Sequence, residues 1–293
     1  MISPPGGARE RMAEGLDRLR QAATARYGDT LIEVRLDSRG VRGTVALPDQ
    51  AAAVQTLIGS LWPGADCRLL VLAARRPRVG LHPQARPLDI WRRWPGGDSR
   101  RQELTSQLLP GDPGAGLLAV RGGHYLVRAP GDAVGWVIGT ARFGWGPPPG
   151  EAEASQLGAP VQAWDPEQVR RAALSQLGLP YVFGGTGGEG VDCSGLVWRA
   201  FLSAGVLLPR NSRAQRRAGE RVGLAGLHLA DIICAVHKGP RRSSHVALSL
   251  GEDRLVHACS ETNEVRLEPL RDFRERYQVL TVRRVPGATA SPR

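Results

Sequence analysis

The sequence predicts an α+β protein built from three folded units. Its first 76 residues contain helix-like and strand-like segments in alternation. Short apolar runs follow at close spacing, separated by turns rich in Gly and Pro, which is typical of a small β-barrel. The last part begins with helix-periodic segments and continues with alternating strands. We therefore expect an α+β module over residues 1–76, a barrel over 77–145, a linker over 146–164 and an α+β domain over 165–286.

The N-terminal module has a regular pattern. Residues 8–26 carry apolar side chains at helical spacing. LIEVRLDSRGVRGTVAL predicts two strands around a turn at Ser38 to Gly40, AAAVQTLIGSLW a helix and CRLLVLAA a strand. The β-β-α-β order resembles small ligand-binding modules of the BON type. A packing or spacer domain is the alternative interpretation. The stretch RRPRVGLHPQARP, residues 75–87, has the composition of a linker.

Bulk composition is that of a globular protein, with 42% apolar and 23% charged residues in 293. No run of about 20 apolar residues occurs, so we expect no membrane span. The N-terminus has no apolar core of a signal peptide. These features predict a cytoplasmic location, or a periplasmic or cell-wall location if the chain is a processed form.

The formal net charge is +11, and Lys238 is the only lysine, so arginine supplies almost all of the positive charge. A basic balance can indicate a nucleic-acid, anionic-surface or acidic partner. Here the arginines are scattered along the chain, which favours an ordinary solvated surface. Attraction for carboxylate-rich or polyanionic ligands is the alternative, and we expect no nucleic-acid partner.

Four cysteines occur without a CxxC motif and at irregular spacing, which argues against a disulfide framework and against a zinc site. We therefore expect no metal and no cofactor. Cys193 differs from the other three because a Gly-rich stretch, Gly184 to Gly190, precedes it and a helix-periodic run follows. The positive end of a helix lowers the pKa of a thiol, so this position predicts a reactive thiolate. An inert buried cysteine is the alternative.

A base for this thiol is supplied further along the chain. SSHVALSLGEDRLVHACS predicts two strands joined by a tight turn at Gly251 to Asp253. Pairing the strands around that turn makes His245 and His257 neighbours. A histidine oriented by a second polar group is the proton acceptor that a thiol nucleophile needs.

The motifs DCSGLV, YVFGG, LPRNSRAQ, HVALSLG and VHACS, in this order and spacing, resemble the NlpC/p60 cysteine peptidases. The resemblance implies a papain-like α+β fold, with the nucleophile's helix packed on an antiparallel sheet. It also implies hydrolysis of peptidoglycan stem peptides, typically between γ-D-glutamyl and the diamino acid. Cys193 would be the nucleophile, His245 the base and His257 the residue that orients the base.

The same resemblance implies further roles. Tyr181 matches a tyrosine that faces the active site, and Asp192 and Ser194 match residues that help to bind the substrate. The backbone N–H of Cys193 would form part of the oxyanion hole. Two departures from the family pattern occur. Phe183 replaces a tryptophan, and Leu229-Ala230-Asp231 replaces a Pro-Gly-Asp turn, which predicts a change in the shape of that turn.

The runs ELTSQLLPGDPGAGLLAV, GGHYLVRAP and GDAVGWV, with the pair Gly135-Trp136, are similar to the bacterial SH3-like domain. Such a domain before an NlpC/p60 domain implies an enzyme that releases L-Ala-γ-D-Glu and requires a free N-terminal L-Ala. An acidic residue of the SH3-like domain would bind the amine. Glu103 is the candidate, and an exposed surface glutamate is the alternative. The tyrosine that precedes Gly-Trp in relatives is replaced, with Ala133 in that region.

Four functions therefore remain open at the level of sequence. The first is a γ-D-glutamyl–diamino acid endopeptidase that acts on muropeptides with free L-Ala in cell-wall recycling. The second is a secreted hydrolase of intact peptidoglycan, and the third is a non-catalytic wall-binding protein. An acyltransferase or amidase acting on other γ-glutamyl compounds is the fourth, because fold and triad do not determine the acyl acceptor.

Overall fold

The structure is a computed structural model, and it describes residues 7–27, 32–37, 40–72, 77–92, 104–148, 163–239 and 243–289. The described residues form three units in chain order. Within them, no helix combines the length and the apolar character needed to cross a membrane.

The N-terminal unit is a three-stranded sheet with two helices. Strands 1 and 2 are antiparallel, and the helix between strands 2 and 3 allows those two strands to run parallel. The order of elements is the one that the sequence predicts, whereas likeness to a BON module stays a prediction. The elements are α1 (Ala8–Tyr27), β1 (Ile32–Leu36), β2 (Gly40–Val45), α2 (Pro48–Leu61) and β3 (Asp66–Val71).

The loop between β2 and α2 is held by a buried glutamine. The side-chain oxygen of Gln50 accepts hydrogen bonds from the backbone N–H groups of Ala46 and Leu47, each at 3.0 Å. Ala46 then packs with Leu126 and Trp136 of the next unit. The loop is therefore fixed at the junction of the two units.

The middle unit is a seven-stranded antiparallel sheet in the order β10-β4-β7-β8-β9-β5-β6. Likeness to an SH3-like barrel stays a prediction. Its strands are β4 (Gly80–Pro83), β5 (Leu88–Trp91), β6 (Leu104–Leu108), β7 (Ala115–Arg121), β8 (His124–Ala129), β9 (Ala133–Val137) and β10 (Phe143–Gly146).

The prediction of a linker over residues 75–87 is wrong for the part of this range that the structure describes. Strand β4 lies inside that range and pairs with β10 on one side and β7 on the other, with Leu81 fully buried. The error arose because Pro, Gly and Arg dominate the stretch, so that a four-residue strand with one large apolar side chain gave no alternating pattern. The second expected linker, 146–164, lies mostly outside the described residues.

The C-terminal unit places helices on a six-stranded antiparallel sheet in the order β13-β18-β14-β15-β16-β17. Its first helix begins as the sequence predicts, because Asp165 accepts the N–H of Glu167 at 2.9 Å and Pro166 occupies the first turn. The helices are α3 (Pro166–Leu174), α4 (Cys193–Ser203), α5 (Ser212–Gln215) and α6 (Leu270–Arg276). The strands are β11 (Thr186–Gly187), β12 (Gly190–Val191), β13 (Glu220–Val222), β14 (Ile232–His237), β15 (Ser244–Gly251), β16 (Arg254–Cys259), β17 (Glu264–Pro269) and β18 (Tyr277–Arg284).

The two faces of this sheet have different partners because side chains alternate along each strand. Val246 and Val256 point to the core that contains the buried side chains of α4. Ala247 and Leu255 point to the opposite face, where they pack with Phe273 of α6. This alternation places the two predicted histidines on the α6 face.

The turn before β14 has a left-handed residue at its centre. Ala230 has φ 66°, a conformation that glycine adopts with less strain. The carboxylate of Asp231 holds the turn by accepting the N–H of His228 at 2.8 Å and pairing with Arg284 at 2.6 Å. The Leu229-Ala230-Asp231 sequence therefore forms the backbone shape that a central glycine would favour.

The middle and C-terminal units are docked by polar contacts. Arg199 of α4 forms an ion pair with Asp112, and both side chains are largely buried. The hydroxyl of Thr186 donates to the carbonyl of Gln107 at 2.9 Å. The N–H of Arg210 donates to the carbonyl of Gly131 at 2.9 Å. These contacts hold the loops of the middle unit beside the start of α4.

We expect Gly131→Ala to destabilise the protein more than Gly123→Ala. Both glycines have similar positive φ, 79° and 76°, so both substitutions carry a left-handed strain of about 1–2 kcal/mol. A Cβ at Gly131 would also lie 2.6 Å from the carbonyl oxygen of Leu208 and 2.9 Å from the nitrogen of Arg210, whereas a Cβ at Gly123 meets open space.

Overpacking of this kind costs about 1–3 kcal/mol more. Urea unfolding of the two variants measures the difference. Equal losses of unfolding free energy would contradict the close packing of the two units at Gly131.

Candidate active site

Cys193 is the first residue of α4 and is 6% exposed. Asp192 caps the helix by accepting the N–H of Gly195 at 2.6 Å. The backbone N–H groups of Val246 and Ser194 hydrogen-bond the sulfur. The thiol therefore lies between the start of α4 and strand β15, as the position at a helix start predicts.

The expectation of a lowered thiol pKa at Cys193 is wrong. Burial, with a further contribution from the neighbouring carboxylate of Asp192, raises the pKa of Cys193 to about 12. The hydrogen bonds from Val246 and Ser194 and the charge of Arg210 offset these effects only in part. Desolvation outweighs the helix end here, so the protein holds a neutral thiol at Cys193 at neutral pH.

The two predicted histidines are in contact. Nε2 of His245 lies 2.9 Å from Nδ1 of His257, and both side chains are buried. Burial lowers the pKa of His245 well below its ordinary value, with a further contribution from His257. Burial also lowers the pKa of His257, although Glu268 opposes the shift. Both rings are therefore neutral at neutral pH.

An acidic residue lies behind the histidine pair. Nε2 of His257 lies 2.9 Å from Oε2 of Glu268, in a contact bent away from the linear hydrogen-bond geometry. The other carboxylate oxygen of Glu268 pairs with Arg276, which also donates to Glu261 at 2.8 Å. The buried histidines are thus connected to a charged network that reaches the surface.

Aromatic rings restrain the orientation of His245. The ring of Tyr277 stacks on His245 with centroids 4.5 Å apart and planes 20° from parallel. Phe273 also stacks on Tyr277, with centroids 4.5 Å apart, and its ring lies 5.9 Å from that of His245. Because a stacked ring cannot rotate without losing this contact, the imidazole plane is fixed.

A buried ion pair organises the loop before α4. The carboxylate of Asp192 receives both Nη atoms of Arg210 at 3.0 Å, the N–H of Gly184 at 2.8 Å and the hydroxyl of Ser194 at 3.1 Å. Arg210 also donates to the carbonyl of Gly185 at 3.0 Å. Asp192, predicted as a substrate-binding residue, therefore has both oxygens engaged within the protein.

Tyr181 lies near the thiol, as the sequence predicts. Burial raises the pKa of Tyr181, and the charges of Cys193 and Asp192 raise it further. Its phenol is therefore neutral at physiological pH and can act as a hydrogen-bond donor beside Cys193.

A cleft of about 400 Å³ opens over Cys193, and residues of all three units line it. The C-terminal unit contributes the predicted residues Tyr181, Asp192 and Ser194. The other walls are apolar for the most part, apart from Arg92, Thr105 and Asp132 of the middle unit. Their apolar members are Ala46, Leu47, Leu104, Leu126, Ala133, Val134 and Trp136.

The sequence profile of the NlpC/P60 family matches residues 178–284, which include Cys193, His245 and His257. These residues form an NlpC/P60 domain.

Three curated relatives share this NlpC/P60 domain. A probable endopeptidase of Mycobacterium tuberculosis is 37% identical over 106 residues, which are 36% of this chain and 26% of the relative. A gamma-D-glutamyl-L-lysine dipeptidyl-peptidase of Bacillus cereus is 37% identical over 95 residues, 32% of this chain and 28% of the relative. The peptidoglycan endopeptidase RipB of M. tuberculosis is 37% identical over 118 residues, 36% of this chain and 48% of the relative.

The chain thus spans about a quarter to a half of the length of these relatives. Among solved structures, an NlpC/P60 family protein from B. cereus aligns over 71% of this chain and 63% of its own, with 25% identity and a TM-score of 0.39.

The site residues of the NlpC/P60 domain that belong to local motifs could be predicted from the sequence. Contacts between residues that are distant in sequence could not. Arg210 lies within the motif LPRNS, but only the structure shows its pairing with Asp192. Glu268 and Arg276 occur in no motif near the histidines. Glu103, the predicted amine-binding acid, lies outside the described residues.

The buried histidines predict a loss of stability on acidification. Histidines of the unfolded chain titrate near their ordinary pKa of about 6.5, whereas His245 and His257 titrate lower in the folded protein. Below pH 6.5 the unfolded state therefore binds more protons, and the free energy of unfolding falls as pH is lowered toward 5. Urea unfolding at a series of pH values measures the slope of the free energy of unfolding against pH.

Two histidine variants separate this effect from general acid sensitivity. We expect His257→Gln to flatten the slope between pH 6.5 and 5, because one of the coupled buried groups is removed. His228→Gln, at an exposed histidine, should keep the wild-type slope. Identical slopes in the two variants would show that the buried pair is not the cause.

Proposed function

We propose that this chain is a cysteine endopeptidase that hydrolyses the γ-D-glutamyl–diamino acid bond of peptidoglycan stem peptides. The observation that carries this proposal is the placement of Cys193 at a helix start in an open cleft, with its sulfur at the backbone N–H of Val246, the residue that follows His245, and with Nε2 of His245 in contact with His257. This is the arrangement of nucleophile, base and orienting group that acyl transfer requires.

In the proposed reaction, His245 accepts the thiol proton as the sulfur of Cys193 attacks the γ-carbonyl carbon. The tetrahedral intermediate collapses to a thioester, and the amine of the diamino acid leaves with the proton from His245. Water then attacks the thioester, with His245 again as the base, and releases the γ-D-glutamyl carboxylate. Proton transfer accompanies attack because the resting thiol and imidazole are both neutral.

The oxyanion of the intermediate needs donors that are fixed before the reaction starts. We propose the backbone N–H of Cys193, at the start of α4, as one of them. The neutral phenol of Tyr181 is a second candidate donor beside the thiol. Ser194 lines the cleft next to them, and its hydroxyl also accepts from Arg210 at 3.0 Å.

The activity for which the B. cereus relative is named, that of a gamma-D-glutamyl-L-lysine dipeptidyl-peptidase, supports the choice of bond. From the walls of the cleft we infer a short substrate with a free amino terminus. Loops of the middle unit and the Ala46–Leu47 loop of the N-terminal unit close the cleft opposite α4. We therefore propose free muropeptides, as in cell-wall recycling, in preference to intact peptidoglycan.

A free N-terminal L-Ala would carry a positive charge that needs an acidic partner. Of the described carboxylates that line the cleft, Asp192 is engaged by Arg210, whereas Asp132 is exposed on the wall that faces it. We propose Asp132 for this role. Glu103, directly before the cleft-lining residue Leu104, stays a second candidate.

We expect the protein to cleave L-Ala-γ-D-Glu-diaminopimelate into L-Ala-γ-D-Glu and diaminopimelate, as followed by mass spectrometry. Cys193→Ala should lose at least about 10³-fold in kcat/KM, because the nucleophile is removed. Ser203→Ala, at the far end of α4, is a matched control and should keep wild-type activity. Absence of cleavage by the wild-type protein would refute the proposed function. Solubilisation of intact, cross-linked sacculi would favour the wall-hydrolase alternative.

The amine partner can be identified by pairing substrates with variants. The wild-type protein should cleave the free tripeptide faster than its N-acetylated form, because acetylation removes the charge. Asp132→Asn should raise KM for the free tripeptide about two- to fivefold, the worth of an exposed ion pair, with little change in kcat. If Glu103→Gln raises KM in this way and Asp132→Asn leaves KM unchanged, Glu103 is the residue that binds the amine. No preference for the free amine would rule out both.

A further inference from the structure

A continuous chain of buried polar contacts connects His245 to Arg276. Nε2 of His245 lies 2.9 Å from Nδ1 of His257, and Nε2 of His257 lies 2.9 Å from Oε2 of Glu268. Glu268 pairs with Arg276 through its other oxygen. His257 is fully buried and Glu268 is 5% exposed, so water cannot substitute for these partners.

We propose that Glu268 is a positioning residue whose carboxylate sets the proton positions on both histidines, leaving Nδ1 of His245 as the proton acceptor for Cys193. This inference rests on the proposed function.

The direction of the contacts follows from the number of donors at each position. An ionised carboxylate only accepts hydrogen bonds, so Nε2 of His257 must carry a proton. A neutral imidazole then has a lone pair on Nδ1, which accepts from Nε2–H of His245. His245 in turn keeps its lone pair on Nδ1. Glu268 therefore determines which nitrogen of each histidine carries the proton.

This order requires a neutral His257. If His257 were protonated, both its nitrogens would donate, and His245 would have to accept at Nε2 and carry its own proton on Nδ1. His245 could not then accept the thiol proton. Arg276 prevents this outcome by sharing the negative charge of Glu268, so that the carboxylate does not hold a second proton on His257. Among the described residues, the titratable or charged groups that act on the pair are Arg266, Glu268, Arg276, His237 and the stacked Tyr277, and Cys193 acts on Tyr277.

Glu268→Gln should reverse the direction of the hydrogen bonds between residue 268 and the two histidines, with little change in the shape of the site. Arg276 donates only, so it would take the amide oxygen of the new side chain. The amide NH₂ would then face Nε2 of His257, which must become an acceptor. His257 would carry its proton on Nδ1, and His245 would be forced into the same tautomer. The base would lose its free Nδ1 while every side chain stays in place.

Long-range ¹⁵N NMR of histidine-labelled full-length protein reports the tautomers without any substrate. Signals are assigned with His245→Gln and His257→Gln. We expect Nε2–H on both rings in the wild-type protein and Nδ1–H on both in Glu268→Gln. With stem peptide, Glu268→Gln should lose roughly 10²- to 10⁴-fold in kcat, the scale of a catalytic histidine held in the wrong tautomer, with KM little changed. Glu268→Asp, which keeps a carboxylate, should recover part of the loss.

Glu264→Gln is the matched control, because Glu264 lies exposed at the other end of β17. It should change neither tautomers nor rates. Nδ1–H on His245 in the wild-type protein would overturn the inference, and this measurement does not depend on whether Glu268→Gln folds. Unchanged tautomers in a folded Glu268→Gln would also overturn it. The expected tautomers in a wild-type protein that cleaves no stem peptide would instead contradict only the proposed function.

Discussion

The buried ion pair between Asp192 and Arg210 is the contact on which the geometry of the site depends. One carboxylate caps α4 behind Cys193, holds the Gly184 loop and binds both Nη atoms of Arg210. The backbone of Arg210 continues this connection into the middle unit through Gly131. Removing one partner of such a pair costs about 3–5 kcal/mol, because the other charge stays buried. Helix, loop and cleft wall are therefore positioned by a single interaction.

The same burial determines the protonation state of Cys193, the proposed nucleophile. A thiol at a helix start is expected to ionise easily, but Cys193 is enclosed, and its pKa is raised to about 12. His245 is enclosed as well, and burial keeps it neutral. In the proposed reaction the proton is therefore transferred during attack, and the orientation of His245 matters more than a preformed charge. Stacking by Tyr277 and the contact with His257 supply that orientation.

The parts of the structure that could be predicted from sequence are those with local causes. Pro166 marks the start of α3, and the short turn between β15 and β16 brings His245 and His257 together because it sets their register. Strand β4 could not be predicted, since its pairing partners are distant in sequence and its own composition is that of a loop. Glu268 likewise reaches His257 only through the pairing of β16 with β17. The sign of the thiol pKa shift at Cys193 depends on burial by three-dimensional packing, which no motif reports.

The proposed reaction passes through a thioester on Cys193, and trapping this thioester is its most direct test. The protein is mixed with L-Ala-γ-D-Glu-diaminopimelate, quenched in acid during turnover and analysed by mass spectrometry, intact and after digestion. We expect an adduct with the mass of the L-Ala-γ-D-Glu acyl group on the peptide that contains Cys193, and none in Cys193→Ala. An adduct on a different residue, or the same adduct in Cys193→Ala, would contradict it.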